Sequence, residues 1–263
     1  MHYKIGFIVS EFLPTKNIIL KSLQNLNPQS LTIFSIPIYS PGKKGNNKLL
    51  LRIFRETNLD YIFFKIFDTI IVRFVRLIKR SRIENYAKKL NIPFHSLSGN
   101  ISELNLAIKD NNIDILVLST NQIMPKSTLD SPKLIAINVH LAKLPEYGGL
   151  FNQFWLMLND ERKSYASVHK ASKNLDAGIV LLEDSVDVIK SESLMSLYLR
   201  TAEVGGDLLH SFLSDPKAYL KVNLEQEKVP CIRGLPTKHD MKKFKSKSLK
   251  LIKLKDFFSI EIF

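Results

Sequence analysis

Short apolar runs alternate with longer, polar-interrupted segments along most of the chain. Tyr3–Ser10 gathers Ile5, Phe7, Ile8 and Val9 into one run that ends in polar residues. That is the pattern of a parallel strand covered on both faces. Pro14–Leu26, with Ile18, Ile19, Leu20, Leu23 and Leu26, predicts a helix, and Ser30–Tyr39 a second strand in which Pro37 suits an end or an edge position. SPGKKGNN at 40–47 reads as a loop. A helix over Ile83–Leu90, a strand over Ile92–Leu97, a helix over Glu103–Asn111 and strands over Ile113–Ser119 and Leu134–Val139 follow. Tyr165–Lys170 and Gly178–Val188 read as two more strands, and Glu192–Leu213 as a long closing helix stopped by Asp215-Pro216. Alternation of this kind predicts an open, mostly parallel α/β sheet with right-handed crossovers.

The segment Tyr61–Lys79 is apolar but contains Lys65, Asp68, Arg73 and Arg76, so it lacks the roughly 18 uncharged residues of a spanning helix. It predicts an amphipathic helix with Phe63, Ile66, Ile70, Ile71, Phe74 and Leu77 towards one side; core packing is the first reading and membrane-surface docking the alternative. The last 48 residues, Pro216–Phe263, are rich in lysine at 238, 242, 243, 245, 247, 250, 253 and 255. The expected organisation is therefore a core domain over 1–215 and a basic extension over 216–263.

Hydrophobic content of 45% with 24% charged residues excludes a wholly disordered chain. Basic residues outnumber acidic ones by 38 to 25, a net charge of +13. That suits a nucleic acid, an anionic membrane or a phosphorylated small molecule without choosing among them. A single cysteine, Cys231, cannot close an intrachain disulfide or build a cysteine-rich zinc site. No histidine or carboxylate spacing suggests a metal, and MHYKIGFIVSEF does not read as a signal peptide, so a cytoplasmic setting is the expectation.

The first strand is followed by Glu11-Phe12-Leu13-Pro14, with neither GxGxxG nor GxxxxGK[ST]. This argues against a dinucleotide enzyme or a P-loop NTPase. GxSxG is absent as well. Positive chemistry is concentrated at the end of the Leu134–Val139 strand. Asn138 and His140 stand two residues apart, so strand geometry sends both side chains to one side. Downstream, Asp176 lies in a loop next to Gly178. An amide that donates to a developing oxyanion, an imidazole that handles a proton and a carboxylate that orients it together suit acyl transfer to an amine. On spacing alone, an Asn-x-His at a strand end is more often structural than catalytic.

The surrounding blocks give the constellation more weight. INVH, LPEYGG, the aromatic-rich FNQFWLMLND, SVH and LDAG occur in order from Leu134 to about Leu182. This run resembles the folate-dependent formyltransferase family, with a looser fit over 1–213. The resemblance implies a Rossmann-like formyltransferase fold, 10-formyltetrahydrofolate as donor, and Asn138, His140 and Asp176 as catalytic residues. It also implies folate contacts at Asn121, Gln122, Ile123 and Met124 and at Ser172, Lys173, Asn174 and Leu175, and acceptor contacts at Lys143, Tyr147 and Trp155. Phe151, Phe154, Trp155 and Leu158 at helical spacing read first as core, with the acceptor contact of Trp155 the minor reading, and His169 reads as structural beside the folate loop. The chain departs from the pattern at Gly148, where relatives often carry Arg or Lys, at Tyr165, where a Gly is usual, and at Leu141-Ala142, where many relatives have Pro-Ser.

Among family members, methionyl-tRNA formyltransferases carry an added β-barrel for which 48 residues are too few, glycinamide ribonucleotide formyltransferases need a glycine-rich loop after the first strand, and formyltetrahydrofolate hydrolases place a regulatory domain before it. The resemblance then implies a sugar-nucleotide N-formyltransferase acting on a 4-amino-4,6-dideoxy-sugar, dTDP-linked, in O-antigen and lipopolysaccharide synthesis, and a homodimer. A tRNA-directed enzyme using the basic tail, and a non-catalytic binding protein on the same fold, stay open.

Overall fold

The structure, a computed structural model, describes residues 3–10, 13–37, 83–120, 122–220, 229–254 and 256. The expected loop at 40–47 and amphipathic helix at 61–79 lie outside them. Strand β1 (Ile5–Val9) is buried along its whole length and pairs in parallel with β2 (Leu31–Ser35) on one side and β4 (Ile115–Ser119) on the other. β3 (Phe94–Ser96) extends the β2 edge, and β5 (Ile135–His140) extends the β4 side, all parallel. Beyond β5, β7 (Lys163–Lys170) runs antiparallel and β8 (Val180–Asp187) reverses again. The seven-stranded order is β3-β2-β1-β4-β5-β7-β8, the mostly parallel Rossmann-like sheet expected from the alternation of patterns.

Period-two geometry divides the strand residues between two layers. Ile5, Phe7 and Val9 of β1 and Ile135, Ile137 and Val139 of β5 join one core with α1 (Leu13–Ser22), whose buried residues include Ile18 and Ile19, and with the long helix α6 (Leu194–Ser214). Ile8 and Ala136 point to the opposite layer, packed by Leu104 and Ile108 of α3 (Ile101–Asp110). α2 (Ile83–Lys89) precedes β3, and the short α4 (Lys126–Leu129) follows β4. Helix α6 starts where Ser193 accepts the backbone N–H of Ser196, a side-chain N-cap. It approaches the sheet and α1 closely through two glycines. A Cβ on Gly205 would lie 3.0 Å from Val139 Cγ1, and one on Gly206 would lie 2.5 Å from the Cβ of Lys21.

The lysine-rich tail was expected to be an appendage. Its described part instead packs onto the core. After α7 (Pro216–Leu220), strand β9 (Ile232–Arg233) pairs in parallel with β6 (Gly148–Gly149). Helix α8 (Lys238–Ser246) then buries Met241 and Phe244 beside Phe154 and Leu156 of α5 (Asn152–Leu158) and Leu197 of α6. A capping box between Thr237 and Asp240 sets the start of α8. Its lysines lie on the other face, so charge and apolar contact share one amphipathic helix. None of the described helices is long and apolar enough to cross a membrane.

Candidate active site

The chain order reverses at β1, which has β2 on one flank and β4 on the other. In open α/β sheets the crevice at the carboxyl ends of such strands receives ligands. A cavity of about 490 Å³ opens there, lined by Leu118–Thr120 at the end of β4, Asn138–Leu141 at the end of β5, the turn 149–153, and residues of the loop after β7.

Asn138 and His140 share the face of β5 opposite Ile135, Ile137 and Val139, as the i, i+2 spacing predicts. Cross-strand register sets His169 of β7 directly opposite Asn138. The His169 Nδ1–H donates to the Lys170 carbonyl at 3.1 Å, which leaves Nε2 to accept from Asn138 Nδ2 at 3.2 Å. One amide hydrogen of Asn138 is thus fixed and the other remains for a ligand in the cavity. Burial, with the neighbouring His140 adding to it, pushes the His169 imidazole down to about 4. It is a neutral acceptor at neutral pH.

His140 is held by the opposite logic. Its Nε2 lies 2.7 Å from the carbonyl oxygen of Tyr147, which can only accept, so Nε2 carries the proton. Asn152 Nδ2 approaches the same nitrogen at 3.1 Å while donating to the Gly149 carbonyl at 3.2 Å. The lone pair of the neutral ring then resides on Nδ1, which faces Asp176 Oδ1 at 3.6 Å. The other oxygen of Asp176 accepts the Gly149 N–H at 2.8 Å. Asp176 itself sits at φ 52 and Gly149 at φ 91, left-handed turns that carry the carboxylate from the β7–β8 loop to the end of β5.

Gln122, Ile123 and Met124, and Ser172 and Leu175, line the cavity together with Asn138, His140 and Asp176. Lys173 and Asn174 are exposed neighbours in the same loop that do not line it, and Asn121 lies outside the described residues. Lys143, Tyr147 and Trp155 are not on the cavity wall either. Lys143 pairs with Glu146 at 3.5 Å and lies 5.4 Å from the centroid of the Tyr165 ring. Tyr147 donates its hydroxyl to Glu161 at 2.7 Å, and Trp155 donates its indole N–H to Gly234 at 3.0 Å. The glycine at 148 has a packing cause: a Cβ there would lie 2.9 Å from Ile232 Cδ1 and 3.0 Å from Pro230 Cβ. Local spacing missed Asn152 and the C-terminal strand that braces the turn, and it gave His169 no partner, because that partner is fixed by cross-strand register.

The arrangement defines an α/β site in which an amide donor, an imidazole with one free nitrogen and a carboxylate meet at one strand end. Such a site can stabilise an oxyanion while a proton moves. Residues 81–213, half of the chain, match the formyl transferase family, and the chain belongs to that family. It is similar to the methionyl-tRNA formyltransferase of Pelobacter propionicus, 36% identical over 95 residues that make up 36% of this chain and 30% of that protein. The match therefore spans less than a third of that relative's length. A sugar 3N-formyl transferase solved in the presence of dTDP and 5-N-formyl-THF superposes with a TM-score of 0.51 at 15% identity, over 81% of this chain and 62% of that one. A sugar N-formyltransferase from Shewanella sp. FDAARGOS_354 does so with a TM-score of 0.50 at 17% identity, over 98% and 87%. At these identities the structures share the fold.

Proposed function

We propose that this protein transfers the formyl group of 10-formyltetrahydrofolate to the amino group of a nucleotide-linked 4-amino-4,6-dideoxy-sugar, with dTDP as the nucleotide, for O-antigen and lipopolysaccharide synthesis. The observation that carries this reading is the convergence of Asn138, His140 and Asp176 on one wall of the cavity, with His140 Nδ1 3.6 Å from the carboxylate. A volume of about 490 Å³ falls within the roughly 300–1,000 Å³ usual for cofactor-sized ligands. Gln122, Ile123, Met124, Ser172 and Leu175 would hold the folate. The donor supplies an electrophilic formyl carbon and a leaving nitrogen.

The chain's own groups have separate tasks. The free amide hydrogen of Asn138 meets the formyl oxygen as it gains charge, in a site where fixed donors are worth far more than in water. His140 Nδ1 takes the proton shed by the attacking amine as the new C–N bond forms, and returns it to the departing nitrogen as the old C–N bond breaks. Asp176 balances the positive charge on the ring between those two steps. His169 holds the Asn138 amide in register.

The sugar reading draws support from the sugar N-formyltransferase structures and from the +13 balance, which suits a phosphorylated acceptor. A second reading, methionyl-tRNA as acceptor, is favoured by the sequence relatives. Incubating the purified protein with formyl donor and, separately, dTDP-, UDP- and GDP-linked amino sugars or methionyl-tRNA decides between them. Formyl mass on a dTDP-linked amino sugar is expected. Formylation of methionyl-tRNA alone would refute the sugar assignment, and no turnover with any amine would refute both.

A further inference from the structure

We infer that the C-terminal arm carries the anion site for the acceptor, with the Arg233 guanidinium binding the phosphates of a nucleotide-linked substrate. The inference rests on the sugar-nucleotide reading above.

The backbone of Arg233 is fixed against the turn that completes the site. It stands in register with Gly149, and its carbonyl accepts the Leu150 N–H at 2.8 Å. A Cβ on Gly149 would lie 2.3 Å from that carbonyl oxygen. On its other side Gly149 donates to Asp176. Two residues further on, Leu235 lines the cavity. The arm is therefore part of the cavity's surroundings and brings a cation to them.

That cation is uncommitted. The guanidinium carbon lies 4.8 Å from the centroid of the Tyr147 ring and 5.8 Å from that of Trp155. Contact of this kind with the ring faces engages the cation and leaves its N–H donors without an acceptor. Among the described residues the side chain makes no hydrogen bond and no ion pair, and its Nε is buried without a partner. Among the described residues Glu161 makes no ion pair with Arg233; its carboxylate accepts the Tyr147 hydroxyl at 2.7 Å. A half-buried guanidinium without an acceptor is costly unless an anion completes it, and the guanidinium fork matches phosphate oxygens in pairs. A diphosphate between nucleoside and sugar supplies such oxygens, and Arg233 stands two residues from Leu235, which lines the cavity.

Calorimetric titration of the full chain with dTDP and with inorganic pyrophosphate tests this. Arg233→Met keeps the aromatic packing and removes the donors; it should weaken both ligands about 10- to 100-fold. Arg233→Lys should fall between, and 10-formyltetrahydrofolate binding should be unchanged in either. In turnover, the acceptor KM should rise with kcat nearly constant. Equal affinity of wild type and Arg233→Met for both anions, or no binding of either by wild type, would overturn the site. So would Arg233-dependent binding of tRNA without binding of dTDP. Turnover of an amino sugar with an unchanged KM in Arg233→Met would sink this inference and leave the sugar reading intact. Arg233-dependent pyrophosphate binding without turnover of any amino sugar would do the reverse.

Discussion

Replacing His169 by leucine tests the electrostatic design of the site in a way that no activity loss alone could. The ring is 2% exposed, donates to Lys170 and accepts from Asn138. Its pKa falls from an ordinary 6.5 to about 4 through burial. Between those values the unfolded chain binds more protons than the folded one, so stability rises with pH across the window and is lost on acidification. From the two values, the loss is about 2 kcal/mol by pH 5 and about 3 kcal/mol by pH 4. Leucine cannot titrate. At pH 7 it costs about 1–3 kcal/mol by leaving the Asn138 amide and the Lys170 carbonyl without their partner. Urea unfolding of both proteins at intervals from pH 7 to pH 4 should show the deficit of the variant shrinking steadily and vanishing or reversing at the acid end. Titrating groups remote from residue 169 are common to both proteins and drop out of the difference; His140 and Asp176, which interact with its ring, do not. A difference that stays flat from pH 6.5 to pH 4 would refute the buried neutral imidazole. With formyl donor and acceptor at pH 7.5, the same variant should lose about 10- to 100-fold in kcat, because the amide donor is no longer oriented.

Asp176→Asn keeps an oxygen for the Gly149 N–H and removes the charge facing His140; kcat should fall by about 100-fold or more, while urea unfolding shifts little. Gly149→Ala drives a methyl into the Arg233 backbone at a residue with φ 91, so chemical denaturation should show a loss of at least about 2 kcal/mol. Phe244→Ala empties a fully buried ring site stacked 4.7 Å from Phe154 and should cost about 3–5 kcal/mol in the same assay; a change near zero would mean that α8 does not belong to the core.

How much of this was legible in the chain depended on the range of the forces involved. Apolar runs located β1, β4 and β5 to within a residue or two, because burial on both faces leaves a continuous signal. The face shared by Asn138 and His140 follows from strand geometry alone. The position of Asp176 does not; it depends on a left-handed turn with no local pattern, and only the order of matched blocks pointed to it. His169 read as structural because its partner lies across a strand pair. Met241 and Phe244 are three residues apart, a valid helical signal, but the lysines around them dominate the pattern, so the segment reads only as a basic extension. Strand β9 is two residues long and pairs with two glycines, so it had no apolar signature to read.

The site and the arm are coupled through one turn. The Tyr147 carbonyl sets which nitrogen of His140 holds the proton, and the Gly149 N–H fixes the carboxylate of Asp176. Both groups belong to a stretch whose other side is tied to the arm, by Cys231 N–H to the Pro145 carbonyl at 2.8 Å, Gly148 N–H to the Cys231 carbonyl at 3.1 Å and Leu150 N–H to the Arg233 carbonyl at 2.8 Å. Positive backbone angles at Gly149, Phe151 and Asp176 persist only where surrounding bonds over-determine them. The arm supplies three of those bonds. A C-terminal segment that braces the turn and also presents a cation can vary in what it recognises while the Asn, His and Asp that face the cavity stay the same. If Arg233 binds the acceptor as inferred, acceptor choice and formyl transfer are separable by position, with the paired glycines as the joint between them.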